Sequence, residues 1–275
     1  MAEKIYVIGD SHVNFFSGND EIGFVPYLKG IHKCRDKLKC FRTFHVGPIL
    51  AYNLNAYNTS TGGRELIERL IARGDLPKGA YVMCCFGEVD LRCHVMKQAQ
   101  LQNVSFKKVV DDIIVEYVTF LKRMQSLGYR MICWGPVASS KDEWTENPKY
   151  PRSGTESERN EATLYFNRRL EEECSRIGAH FVSVIDDLLD ENYKTKEMYI
   201  SYGCHLNQKA MELARHKFGF VTKDAAEKYF YYWKHLIFSL RRALRYNRSL
   251  IRFICCFVPV KKWRHRIRAM SLQDS

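Results

Sequence analysis

The sequence predicts a three-layer α/β domain, in which helices cover both faces of a sheet of about five parallel strands, followed by a basic helical tail. Five short apolar runs alternate with segments of helical periodicity. Several runs are continuously apolar, as in parallel strands that are buried on both faces. The basic residues are concentrated at the end of the chain, which sets a tail apart from the body.

The predicted elements follow one another with two long interruptions. Strands are expected at residues 4–8, 41–46, 80–86, 130–134 and 180–185. Helices are expected at 65–71, 106–126 and 156–177, and from Asn207 to about Phe218. The supporting signals are a 3.6-residue apolar period, a capping-box pattern at Thr155 and Glu158, and a C-cap at Gly74. Residues 13–40 and 136–155 break the alternation, and the second segment is predicted to be a lid or specificity loop.

The net charge of +12 belongs mainly to the last fifth of the chain. Residues 225–275 contain twelve Lys or Arg and two Asp or Glu, so the body is nearly neutral. The tail interleaves these charges with aromatic residues, and its apolar run at 250–260 is shorter than the roughly 20 residues a membrane span requires. We expect a domain over 1–222 and an amphipathic tail over 223–275, with residues 225–270 on an anionic membrane surface.

The tail has two other interpretations. It is also consistent with a helical extension that packs on the body or on another subunit. Basic and aromatic residues together are typical of nucleic-acid binding too, but the near-neutral body argues against that partner.

Cysteine usage indicates a reducing compartment. The chain has ten cysteines and no C-x-x-C, which argues against a zinc ribbon or a thioredoxin-type site. Cys84 and Cys85 are expected to be small buried side chains of a strand. The first strand begins almost at once, without the apolar segment of a signal peptide. We therefore expect a cytoplasmic protein that is peripheral on the inner face of the membrane.

Chemistry-bearing residues follow the ends of the predicted strands. Ser11 follows the first strand, Gly47 the second and Gly87 the third, while His205 lies far along the chain. The carboxyl ends of parallel strands meet at one edge, where ligands bind. A serine there becomes a nucleophile if a histidine removes its proton, so Ser11 and His205 are the predicted catalytic pair. The rival interpretation is that Ser11 caps the next helix and that His205 has a structural role.

Gly9-Asp10-Ser11, the five alternating strands and the late His205 resemble the SGNH (GDSL-type) hydrolase family over about residues 4–220. The resemblance implies a flavodoxin-like fold with Ser11 as nucleophile and His205 as base. It also implies an oxyanion hole formed by the amides of Ser11 and Gly47 with the block at Gly87. The Pro-x-Lys-Lys-Trp-Arg segment at 259–264 resembles tails of bacterial surface-glycan assembly enzymes.

Two positions depart from the pattern of that family. Val89 replaces an asparagine oxyanion donor, and Tyr202 stands where the triad acid is normally found. Losing one oxyanion donor typically costs about 10²–10³ in rate. Either a Ser–His dyad operates, or another carboxylate orients the histidine, with Asp186 and Asp187 as candidates.

Charged residues alternate with apolar ones after the third predicted strand. Glu88, Asp90, Arg92 and His94 would all face one side if the strand continued through them. With Asp10, they would then bind a polyhydroxylated or anionic substrate. The rival interpretation is a solvated strand end with local ion pairs.

The expected function is acyl-ester chemistry on a carbohydrate, by an O-deacetylase or O-acetyltransferase of surface-polysaccharide assembly. Hydrolysis would require no cofactor or metal, and transfer would use acetyl-CoA or another acyl donor. A catalytically impaired glycan-binding or scaffold module is one alternative, and a sugar or phosphosugar transferase using Asp10, Glu88 or Asp90 as base is another. Asp10 and His12 also resemble the first metal ligands of binuclear metallophosphoesterases, but the later blocks of that family are missing.

Overall fold

The structure is a computed structural model that describes residues 4–19 and 30–221, together with Cys256 and Trp263. Contacts between Cα atoms divide the chain into two units, Met1–Asp224 and Ala225–Ser275. The predicted helical tail lies outside the described residues, apart from Cys256 and Trp263, which have helical backbone. None of the described helices is long and apolar enough to cross a membrane.

The predicted α/β class is confirmed by a six-stranded, mostly parallel sheet in the order β2-β3-β1-β4-β5-β6. Its strands are β1 (Ile5–Gly9), β2 (His32–Lys33), β3 (Phe41–His45), β4 (Tyr81–Cys85), β5 (Arg130–Trp134) and β6 (His180–Val182). The five parallel strands, numbered by themselves, give the flavodoxin-like order 2-1-3-4-5. The sixth strand, β2, is an antiparallel edge strand within the long connection, and its two residues are too short to show an apolar run.

The central strands are buried on both faces, as their apolar composition predicts. Ile5, Val7 and Ile8 of β1 are completely buried, and so are Val82, Met83 and Cys84 of β4. Cys84 and Cys85 pack in the core, as expected for small buried side chains of a strand.

Seven α-helices lie in the described part of the chain. They are α1 (Val13–Ser17), α2 (Gly63–Ala72), α3 (Met96–Gln102), α4 (Phe106–Ser126), α5 (Glu156–Ile177), α6 (Ile185–Leu188) and α7 (Met211–Arg215). The predicted bounds of α4 and α5 agree with the structure, and the Thr155–Glu158 capping box is present. Asn207 accepts a hydrogen bond from the amide of Lys209, and it begins a 3₁₀ turn that leads into α7.

Two features near the edge of the sheet shape the site. A hairpin of β7 (Ile200–Tyr202) and β8 (His205–Leu206) turns at Gly203, where φ is +53°. The side chain of Arg159, which is 1% exposed, holds the loop 136–155 in place. It donates hydrogen bonds to Ser139 Oγ, the Ser140 carbonyl and an Asp142 carboxylate oxygen. The loop is therefore anchored to α5 through a buried guanidinium.

Candidate active site

The register of the central strands brings three turns to one edge. Gly9 at the end of β1 pairs with His45 of β3 on one side and with Cys85 of β4 on the other. The residues that follow these three strands, including Ser11, therefore lie next to one another at the carboxyl edge of the sheet. Hairpin β7–β8 brings His205 to this edge from the far end of the described chain.

Ser11 and His205 are in direct contact. The Ser11 hydroxyl lies 2.7 Å from Nε2 of His205, across 194 residues of sequence, and both residues are half-buried. A serine hydroxyl that donates to a neutral imidazole has the geometry for general-base activation. Ser11 does not cap α1, because the N-cap position belongs to His12 and receives no side-chain cap.

Two main-chain amides near Ser11 are available to a substrate oxygen. Among the described residues, the amides of Ser11 and Gly47 donate no hydrogen bond. The φ of Gly47 is +97°, a backbone conformation that favours glycine. Gly87 is fixed as glycine by its surroundings, because a Cβ there would lie 3.0 Å from the side chains of Phe166 and Pro136, and its part in an oxyanion hole stays a prediction. Val89 is buried at the start of the next turn and has no side-chain donor.

The strand does not continue through the charged residues after β4, so the condition under which all four would face one side is not met. β4 ends at Cys85, Gly87 has a φ of +106°, and Asp90–Val95 form a turn of π-helix. The left-handed backbone at Gly87 ends the extended conformation, and the helical turn then separates the side chains. His94 is half-buried there, and burial lowers its pKa.

Glu88 and Arg92 form a buried ion pair next to His12. Arg92 Nε and Nη2 donate to the two Glu88 carboxylate oxygens at 2.5 and 3.2 Å. Nε2 of His12 lies 3.5 Å from the same carboxylate. Burial disfavours the charged carboxylate, but Arg92 and His12 outweigh it and hold the pKa of Glu88 well below its usual range. The local ion pairs of the rival interpretation are therefore present, but they are buried rather than solvated.

His12 is the centre of this charged group. Burial opposes its protonation, but Asp10 and Glu88 outweigh that effect and raise the pKa of His12 well above its usual value. Asp10 accepts a hydrogen bond from the His12 amide through Oδ1, and Oδ2 has no partner among the described residues. Burial raises the pKa of Asp10 to about 6. Two buried acids and two cations, His12 and Arg92, thus balance one another.

A cavity of about 200 Å³ adjoins this group. Its polar lining is Asp10, His12 and Glu88, and its apolar lining includes Trp134, Pro136 and Val137. Loop 136–155 is joined to the same group, because Arg92 Nη1 donates to the Tyr150 carbonyl and the Arg92 carbonyl accepts from the Ser153 amide.

No carboxylate is seen to orient His205 among the described side chains. The candidates Asp186 and Asp187 are exposed on α6, and neither forms a hydrogen bond with His205. Instead, the His205 ring stacks on His12, with centroids 4.7 Å apart and an interplanar angle of 25°. Cys204 Sγ lies 3.7 Å from Nε2 of His12. In the sequence, His12 follows Ser11 and Cys204 precedes His205. Their positions next to the predicted pair could have identified them.

Asp90 lies apart from the charged group and binds main-chain amides. Its carboxylate accepts from Ala51 at 2.8 Å and from Tyr52 at 3.2 Å, and burial raises its pKa to about 7. Folded Asp90 therefore retains a proton between pH 4 and 7 that the unfolded chain has released, so stability falls as pH rises through this window.

Asp90→Asn is expected to remove this pH dependence. Between pH 4 and pH 8, the unfolding free energy of the wild-type chain should fall by about 2–4 kcal/mol more than that of the variant. Urea unfolding at several pH values measures both slopes. Equal slopes would show that Asp90 is ionised throughout.

No family model and no curated protein sequence matches the chain. Solved structures that resemble it include a GDSL-like lipase from Bacteroides thetaiotaomicron, with 12% identity over 78% of this chain and 86% of that chain and a TM-score of 0.46. An acetyl xylan esterase, AlAXEase, shows 12% identity over 78% and 97%, with a TM-score of 0.43. An extracellular lipase from Streptomyces rimosus shows 12% identity over 80% and 100%, also with a TM-score of 0.43.

Proposed function

We propose that the chain hydrolyses acyl esters by the serine mechanism of SGNH-type hydrolases. The observation that carries this proposal is the 2.7 Å contact between Ser11 Oγ and His205 Nε2. His205 removes the hydroxyl proton while Ser11 attacks the ester carbonyl, and the amides of Ser11 and Gly47 stabilise the oxyanion. His205 then gives the proton to the leaving alcohol, and water releases the acyl group from Ser11. This reaction needs no cofactor.

The test is covalent labelling with a serine-directed fluorophosphonate, followed by intact-mass analysis. One adduct per chain is expected, because a phosphonylated Ser11 mimics the tetrahedral intermediate. Ser11→Ala should take up no label, and His205→Ala should label far more slowly. The absence of an adduct on folded wild-type protein would refute the proposal and favour a binding module or a carboxylate-based transferase.

The proposed substrate is a short acyl ester of a carbohydrate. Asp10 and His12, the neighbours of Ser11 in the sequence, line a small pocket, and its size favours a short acyl group. The Asp10 and Glu88 carboxylates in its lining are hydrogen-bond acceptors for a polyhydroxylated group. The preference among substrates is tested by comparing the rates of hydrolysis of acetylated sugars, simple acetate esters and long-chain esters. Adding acetyl-CoA with an acceptor sugar distinguishes transfer during surface-glycan assembly from hydrolysis.

We extend the proposal to a peripheral membrane location, with the tail as the anchor. The sequence of residues 225–270 provides dense Lys and Arg with aromatic residues, and each basic residue near an anionic surface contributes about 1 kcal/mol. The full chain should co-sediment with phosphatidylserine vesicles and be released by salt, whereas neutral vesicles should not bind it. Deleting residues 225–275 should abolish sedimentation. Unchanged sedimentation after the deletion would show that the body binds the lipid.

A further inference from the structure

We propose that His12, Cys204 and His205 form a binding site for one Zn²⁺ ion, and that this ion switches the catalytic pair off. Each of these residues offers one ligand atom, and the three atoms lie within 4.8 Å of one another. Zinc binding depends only on these three ligand atoms and not on the proposed function. The inhibitory effect rests on the proposed function, because it acts through His205.

The spacing of the donor atoms is close to that of a zinc centre. With zinc–nitrogen bonds near 2.0 Å and zinc–sulfur bonds near 2.3 Å, tetrahedral ligand atoms lie roughly 3.3–3.6 Å apart. Cys204 Sγ and His12 Nε2 are already 3.7 Å apart. His205 completes the set by a movement of about 1 Å. Since the side chain of His205 is half-buried, it can turn from Ser11 towards Cys204.

The charges around the site favour a cation. Cys204 and His12 are 5% and 7% exposed, and the carboxylates of Asp10 and Glu88 lie next to His12. Asp10 Oδ2 is buried and makes no hydrogen bond among the described residues. Zinc would compensate these acids as a cation, bound by the Cys204 thiolate and two neutral imidazoles.

The donor set selects a borderline-soft metal ion. One thiolate and two imidazoles are ligands that zinc prefers, whereas Mg²⁺ and Ca²⁺ require oxygen ligands. Three protein ligands leave a fourth position for water or for the Ser11 hydroxyl, which lies beside His205. The Glu88 carboxylate lies 3.5 Å from the same Nε2 atom of His12 and would therefore stand next to the bound cation.

Zinc binding and catalysis exclude each other at His205. A neutral imidazole has one free lone pair, so a metal bound to either ring nitrogen of His205 uses the lone pair that must accept the Ser11 proton. The ion is therefore expected to inhibit turnover, although Ser11 itself is unchanged. Cys204 is essential for the metal site and has no part in ester hydrolysis.

Binding is tested first on Ser11→Ala protein, so that activity plays no role. Zinc chloride is titrated into the reduced full chain in competition with a chromophoric chelator. One tight site is expected, and adding Cys204→Ala should weaken it by more than about 100-fold, beyond the effect usual for second-shell changes. The matched control Cys34→Ala, which removes a half-buried thiol elsewhere, should leave the affinity unchanged. Co²⁺ should give a thiolate charge-transfer band that disappears with Cys204→Ala.

Inhibition is then measured on active protein. Zinc should block hydrolysis by the wild-type chain and EDTA should restore it, whereas Cys204→Ala should hydrolyse ester at the wild-type rate and be insensitive to the same zinc concentration. Equal zinc affinity in Cys204→Ala and its parent would overturn the site. Tight Cys204-dependent binding without inhibition would overturn the switch. Failure of the proposed function would appear separately, as the absence of turnover and labelling in metal-free protein.

Discussion

Ser11→Ala and His205→Ala are each expected to lower kcat for ester hydrolysis by about 10⁴–10⁶, and the double variant should be no slower than the poorer single variant. The hydroxyl and the imidazole act as one unit through their 2.7 Å contact, so removing either group removes the activated nucleophile. The activity that remains should come from the oxyanion amides and from substrate binding. The measurement is steady-state hydrolysis of a chromogenic acetate ester by all three variants.

The kinetic experiment has a matched control in Ser126→Ala. Ser126 is exposed at the end of α4, so this variant should retain the wild-type rate. Circular dichroism and unfolding curves establish that each variant is folded. If Ser11→Ala retained most of the activity while Asp90→Ala or Asp10→Ala lost it, a carboxylate-based reaction would replace the serine mechanism.

Gly9→Ala is expected to destabilise the fold by about 3 kcal/mol or more, through overpacking between central strands. A Cβ at Gly9 would lie 2.2 Å from the carbonyl oxygen of Cys85 and 2.7 Å from its Cβ. The neighbour is backbone of β4, so no side-chain rotation can relieve the contact. Strands β1 and β4 would have to separate where Ser11 leaves the sheet. Urea unfolding of the wild-type and variant chains measures the loss.

Gly219→Ala is the matched control for that experiment. A Cβ at Gly219 meets only the His216 carbonyl oxygen at 3.5 Å, an ordinary contact, and the backbone there is right-handed. Its effect should stay within about 0.5 kcal/mol. Equal stabilities of the two variants would mean that β1 and β4 tolerate a side chain between them.

The sequence allowed the parallel strands, the long helices and the pairing of Ser11 with His205 to be predicted, because each follows from a local pattern. Continuous apolar runs located β1 and β3–β6, and a capping box marked the start of α5. Ser11 and His205 were identified because short motifs follow strand ends, and a parallel sheet collects those ends at one edge. The structure shows that this edge brings the two side chains into contact.

The elements that were missed depend on contacts between distant parts of the chain. The π-helical turn at Asp90–Val95 follows Gly87, whose positive φ ends the extended conformation, and the alternation of charged and apolar residues does not show that angle. The charged group around His12 depends on Glu88 and Arg92 from another segment. The contact between His12 and Cys204 joins residues 192 positions apart, and no periodicity encodes it.

Ser11 and His205 lie 194 positions apart, and this separation has a consequence for how a chain with the proposed function is made. Ser11 follows β1, and His205 is synthesised after nearly all the other described elements. At translation rates of about 5–20 residues per second, the nascent chain carries Ser11 for about 10–40 s before His205 exists. The proposed reaction would therefore begin only after the strands of the described sheet have been synthesised.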